Sequence, residues 1–151
     1  MSPACYEIQP GFPLLVVSSD EQDHSSLLGI LPEDCRLHWA ASRREALSCV
    51  RRFHPHVVLC DQTLADGDWR ELLNDLQGVQ KMPPLIVLSR LADDRLWAEV
   101  LNLGGFDLLM KPFSKAEVNR AVGLAALPRR ALSQRQPGKQ GDPSRAARHR
   151  A

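Results

Sequence analysis

Four short stretches of this chain are apolar at every position: Leu14-Leu15-Val16-Val17, Val57-Val58-Leu59-Cys60, Leu85-Ile86-Val87-Leu88 and Leu108-Leu109-Met110. A strand with one face in water alternates apolar and polar residues. An uninterrupted run is what a strand needs when both of its faces are covered. Each run is followed by a segment of helical period, and that alternation narrows the fold more than any other feature.

The helical segments carry their own punctuation. Ser18 and Ser19 each precede Glu or Gln by three residues, so a helix start is expected there, with Leu27, Leu28 and Leu31 on its apolar side and Pro32 beyond its end. A weaker strand is expected over 36–40. Ser42-Arg43-Arg44-Glu45 reads as a capping box ahead of Leu47, Val50 and Phe53. Asp68-Trp69-Arg70-Glu71 is a further start, followed by Trp69, Leu72, Leu73 and Leu76 at helical spacing. Asp93-Asp94 opens the next helix, with Leu96, Val100 and Leu103 inward and Gly104-Gly105 as its stop. A last strand over 106–110 leads to Ser114-Lys115-Ala116-Glu117 and a helix with Val118, Ala121, Val122 and Ala125 on one face. Five strand-then-helix units with short connections imply an α/β domain: a parallel sheet with helices on both faces.

Length and charge set the limits of that domain. The 151 residues have room for one domain with a real core. The formal net charge of +1 hides an asymmetry: twelve basic and seventeen acidic residues precede Pro128, against seven basic and one acidic from there on. The expected organisation is an N-terminal extension over 1–13, a folded body over 14–127 and a disordered basic tail over 128–151. Cys5, Cys35, Cys49 and Cys60 show no CxxC pair or metal-ligand spacing and read as reduced thiols, with Cys49 and Cys60 in the core. No secretory signal and no membrane-spanning run is visible, so a soluble cytoplasmic protein is expected, without membrane insertion.

Three of the apolar runs end in polar groups of complementary chemistry. The second ends in Asp61, the third in Ser89 and the fourth in Lys111-Pro112-Phe113. As parallel neighbours these strands would bring a carboxylate, a hydroxyl and an ammonium to one sheet edge, where open α/β folds build their sites.

The stretch Asp61-Gln62-Thr63-Leu64-Ala65-Asp66-Gly67-Asp68, then Ser89, then Lys111-Pro112-Phe113 resembles the receiver domain of two-component response regulators. The resemblance covers 14–127. It implies a flavodoxin-like (βα)5 three-layer sandwich with strand order 2-1-3-4-5. It also implies that Asp61 is the phosphoacceptor, served by a sensor histidine kinase or phosphotransfer protein. Ser89 would contact the phosphoryl oxygen and Lys111 would pair with it, beside Mg²⁺ held by Asp61 and the backbone carbonyl of Thr63. Such a protein is no enzyme beyond its own phosphorylation and dephosphorylation. Read as stand-alone, it would act through a downstream output protein, with a homodimer left open.

The pattern also has departures. The family carries an acidic pair after the first strand that helps to hold Mg²⁺, and this chain has Ser18-Ser19. Two serines keep oxygens but remove two charges, so Mg²⁺ should be weakened or absent. Asp20 is the nearest substitute ligand, though it suits the helix N-terminus better. Leu108 stands where the family commonly has an aromatic, Trp69 where it has Gly, and Arg90 where a small residue is expected. The alternative function is a phosphorylation-independent pseudo-receiver acting as a protein-interaction module. His54-Pro55-His56 lacks Cys or acid partners for a metal, and the first loop lacks a glycine-rich phosphate cradle. The basic tail has no aromatics or folded motif, so nucleic acid is not expected as a partner.

Overall fold

The structure is a computed structural model describing residues 11–33, 35–91 and 93–134, with side chains described as far as residue 127. Residues 1–10 and 135–151, and with them most of the expected extension and tail, lie outside the described residues.

Five strands form one parallel sheet: β1 (Pro13–Val17), β2 (Arg36–Ala40), β3 (Val57–Asp61), β6 (Leu85–Ser89) and β7 (Asp107–Met110), in the order β2-β1-β3-β6-β7. This is the expected 2-1-3-4-5 order. Two short strands the sequence reading did not foresee, β4 (Thr63–Leu64) and β5 (Gly67–Asp68), pair as an antiparallel hairpin directly after Asp61. The helices are α1 (Glu21–Ile30), α2 (Arg43–Phe53), α3 (Trp69–Leu76), α4 (Asp94–Leu103) and α5 (Lys115–Gln134).

The period of two along the strands sorts the core into two layers. Leu14, Val16, Leu59, Ile86 and Leu88 face Leu27 of α1 and Val118, Ala121, Val122 and Ala125 of α5. Leu15, Val17, Val58, Cys60 and Val87 face Val50 of α2, Trp69 and Leu72 of α3, and Val100 of α4. The three central strands are buried on both faces, as their continuous apolar composition requires. Burying each such Leu or Val contributes about 1.5–3 kcal/mol.

Several helix expectations need correction. Leu28 and Leu103 are exposed and Phe53 sits at the surface, because three apolar residues in a helix span more arc than one sheet face covers. Phe53 instead stacks on the His38 ring at 3.9 Å. Cys60 is buried but Cys49 is only partly so. Ser42, Asp68 and Asp93 cap their helices as expected, and Asp68 and Glu71 complete a capping box. The first helix differs: Asp20, not Ser18 or Ser19, is its N-cap, accepting from the Gln22 N–H. The last helix runs past the expected boundary at residue 127, through Pro128, to Gln134. Arg129, Arg130, Ala131 and Leu132 are good helix formers, and together they carry the helix past one missing backbone donor.

Candidate functional site

Parallel register brings the polar strand ends together. Asp61 pairs with Leu88 and Ser89 with Met110, so the chain leaves three adjacent strands at one edge. Lys111, immediately after β7, donates its backbone N–H to the Ser89 carbonyl at 2.9 Å, and the Gln62 N–H reaches the Leu88 carbonyl at 3.0 Å. The Lys111–Pro112 peptide bond is cis.

The Lys111 ammonium lies 3.0 Å from Asp61 Oδ1. The same oxygen accepts the Gln62 N–H at 2.8 Å. Lys111 also donates to Asp23 Oδ2 at 2.7 Å. Asp23 is 3% exposed and Lys111 9%, so this is a sealed Asp23–Lys111–Asp61 bridge with only the Asp61 end near solvent. Burial pulls the Lys111 pKa down, but the hydrogen bonds to Asp23 and Asp61 outweigh it and hold the pKa above the usual lysine value.

Ser89 is committed elsewhere. Its hydroxyl donates to Gln62 Oε1 at 2.6 Å and accepts the Leu91 N–H at 2.9 Å. Among the described residues no hydrogen bond joins the Ser89 hydroxyl to Asp61 or Lys111. The structure therefore brings Asp61 and Lys111 into contact and sets Ser89 beside them, held by Gln62.

Ser18 is fully buried, donates to Asp23 Oδ2 at 2.8 Å and accepts the Asp20 N–H at 3.1 Å. Asp20 uses Oδ1 as the α1 cap, and its Oδ2 lies 3.8 Å from the Arg90 guanidinium. Thr63 sits in β4, paired with Asp68. Among the described residues no three His, Cys, Asp or Glu side chains are grouped to hold a metal.

The loop after Asp61 is braced from α2. The Arg43 and Arg44 N–H groups donate to the Asp66 carboxylate at 2.7 and 3.2 Å, which holds its pKa below the usual range, the Arg43 bond contributing most. Arg43 also reaches Asp75 of α3 at 2.6 Å.

Two site residues escaped the sequence reading. Gln62 left no signal, since it reads as a loop residue. Asp23 left one: it stands four residues before Leu27, an acid on the buried stripe of an amphipathic helix.

A family model for the response regulator receiver domain matches residues 14–123. The chain belongs to that family. Regulatory protein AtoC of Escherichia coli (strain K12) is 32% identical to it over 85 residues, 56% of this chain and 18% of that protein. The probable transcriptional regulator ycf27 of Porphyridium aerugineum is 34% identical over 85 residues, 55% of this chain and 34% of that one. The receiver domain thus spans well under two thirds of either curated relative. Among solved structures, the receiver domain of the Francisella response regulator 1452 matches with a TM-score of 0.68 and 27% identity, over 76% of this chain and 96% of that chain. The signal receiver domain of an HD domain-containing protein from Pseudomonas fluorescens Pf-5 has a TM-score of 0.74 over 86% and 97%, and at 23% identity it shows the fold alone. Receiver domains work in two-component signalling, are generally not enzymes and commonly bind Mg²⁺ at the phosphorylation site. No helix among the described residues is long and apolar enough to cross a membrane.

Proposed function

We propose that this receiver domain accepts a phosphoryl group on Asp61 from a phosphohistidine of a sensor kinase or phosphotransfer protein in the cytoplasm. The observation that carries the reading is the Lys111 ammonium 3.0 Å from Asp61 Oδ1 at the open end of a buried bridge. With Oδ1 engaged by Lys111 and Gln62, Oδ2 is the oxygen free to attack phosphorus. A P–O bond to Asp61 forms, the P–N bond breaks, and the imidazole leaves carrying a proton. Lys111 offsets charge on the phosphoryl oxygens, the electrostatic support on which such transfers depend. Ser89 then exchanges Gln62 for a phosphoryl oxygen. The adduct puts roughly 1.5–2 negative charges on the phosphoryl group in place of the single charge of the carboxylate, and draws on Ser89 and Lys111, which precede α4 and follow β7. The output is therefore a changed α4–β7–α5 surface, read by a downstream protein.

The donor set around Asp61 does not fit Mg²⁺. Ser18 and Lys111 both donate to Asp23 Oδ2, and Asp20 commits one of its carboxylate oxygens to the α1 cap. The same observation favours a second reading, a pseudo-receiver that binds partners without phosphorylation. Intact-protein mass after exposure to a small acyl-phosphate donor, with and without Mg²⁺, decides between them. An adduct under either condition that is lost in Asp61→Ala is the expected result. Absence of an adduct from wild type under both conditions would overturn the phosphoacceptor reading in favour of the pseudo-receiver.

A further inference from the structure

The Asp23–Lys111–Asp61 bridge has a consequence for the cation that the site employs. We propose that the Lys111 ammonium, clamped by Asp23, takes the electrostatic place of a divalent ion in this domain, and that Asp23 is the positioning residue that keeps it there. The inference rests on the reading of Asp61 as the site's reactive carboxylate, but it concerns the resting site and is tested without phosphorylation.

Three observations carry it. First, the negative charge that would hold a metal after β1 is missing, since Ser18 and Ser19 are neutral. Second, a carboxylate has come back to the same place from a different element. Asp23 of α1 reaches Ser18 Oγ at 2.8 Å, so the acid stands beside the position where the strand-end acid was lost. Third, that acid already has its cation, Lys111 Nζ at 2.7 Å, and the same nitrogen holds Asp61 at 3.0 Å.

A divalent ion placed on Asp61 Oδ1 would sit against this ammonium, a like charge in a poorly solvated setting. Lys111 is the cation that compensates Asp23, which is 3% exposed and bonded to it at 2.7 Å. Ser18 is neutral and already bonded on both sides, to Asp23 and to the Asp20 N–H, so it offers a cation no charge. The pocket thus carries a cation tethered to the chain, already bonded to one oxygen of each carboxylate. Lys111→Met should convert it back: two carboxylates that share one point would then face each other with no cation between them, which is the charge arrangement that Mg²⁺ and Mn²⁺ bind.

Thermal unfolding of the full chain tests this in EDTA, 10 mM Mg²⁺ or 10 mM Mn²⁺ at matched ionic strength, about 10 mM being ample for a receiver-type site. The expected result is no metal-dependent shift in wild type. Lys111→Met should melt lower in EDTA and recover by about 5–10 °C in metal. Lys111→Met with Asp23→Asn should lose that recovery. A metal-dependent rise in wild type would overturn the proposal, and that arm stands even where Lys111→Met does not fold. Recovery of Lys111→Met that survives Asp23→Asn would equally refute the role of Asp23. A failure of Asp61 to phosphorylate changes none of these outcomes.

Discussion

Asp23 and Lys111 should be energetically coupled, and the coupling can be sized from their burial. In Lys111→Met the two carboxylates lose their shared cation. Breaking a buried pair from one side costs about 3–5 kcal/mol, and Asp23, at 3% exposure, has no access to water that would soften the loss. In Asp23→Asn, Lys111 keeps Asp61 and Ser18 keeps an acceptor, so the loss is one charge-assisted bond, about 1.5–3 kcal/mol. The double variant removes both buried charges and leaves Asp61, the most exposed of the three groups, to be solvated. It should therefore be less destabilised than the two singles together, by about 1–3 kcal/mol. Urea unfolding at neutral pH followed by the fluorescence of buried Trp69 measures all four corners. With a slope of about 1–3 kcal/mol/M, the Lys111→Met midpoint should fall by roughly 1–5 M. Effects that add to within about 0.5 kcal/mol would refute the buried bridge. The sign with pH is also fixed. The Lys111 pKa is raised in the fold, so its contribution is complete below the unfolded-state lysine value and lost as pH rises through the folded-state value.

Other perturbations have equally definite outcomes. Gly67 has φ +148°, and a Cβ there would run into the Glu71 carboxylate and lie 3.0 Å from the Arg43 guanidinium; Gly67→Ala should cost about 1–3 kcal/mol in chemical denaturation, and a neutral result would refute the reading of the β4–β5 hairpin. The His38 pKa is lowered by burial and then by Arg36, and its Nε2 is buried with no hydrogen-bond partner among the described residues. The fold favours neutral His38, so stability should be complete above about pH 6.5 and fall on acidification; His38→Gln should flatten that slope in melting curves between about pH 7 and 5, and an unchanged slope would refute the assignment.

The parallel order, the convergence of Asp61, Ser89 and Lys111 on one edge, and three of the helix caps were legible in the sequence. They depend on local pattern: continuous apolar runs, capping residues at fixed offsets, and the rule that parallel strands end on the same edge. What escaped depends on pairings far apart in sequence. Asp23 and Lys111 are 88 positions apart and Gln62 and Ser89 27, and no periodicity connects them. Ser18 looked like a helix cap because its offset fits a capping box. It lies buried instead, because the cap position went to Asp20 and the serine hydroxyl was needed by Asp23. Leu28 and Leu103 looked inward because helical period alone does not say how wide the covered face is.

The account's central claim is that Asp61 is the phosphoacceptor, and the most direct test locates the phosphoryl group itself. After exposure to an acyl-phosphate donor, borohydride reduction converts an aspartyl phosphate to homoserine, which tandem mass spectrometry assigns to a position. The account predicts homoserine at position 61 and nowhere else. Homoserine at position 20, 23 or 68, or none at all in a fully folded sample, would contradict it.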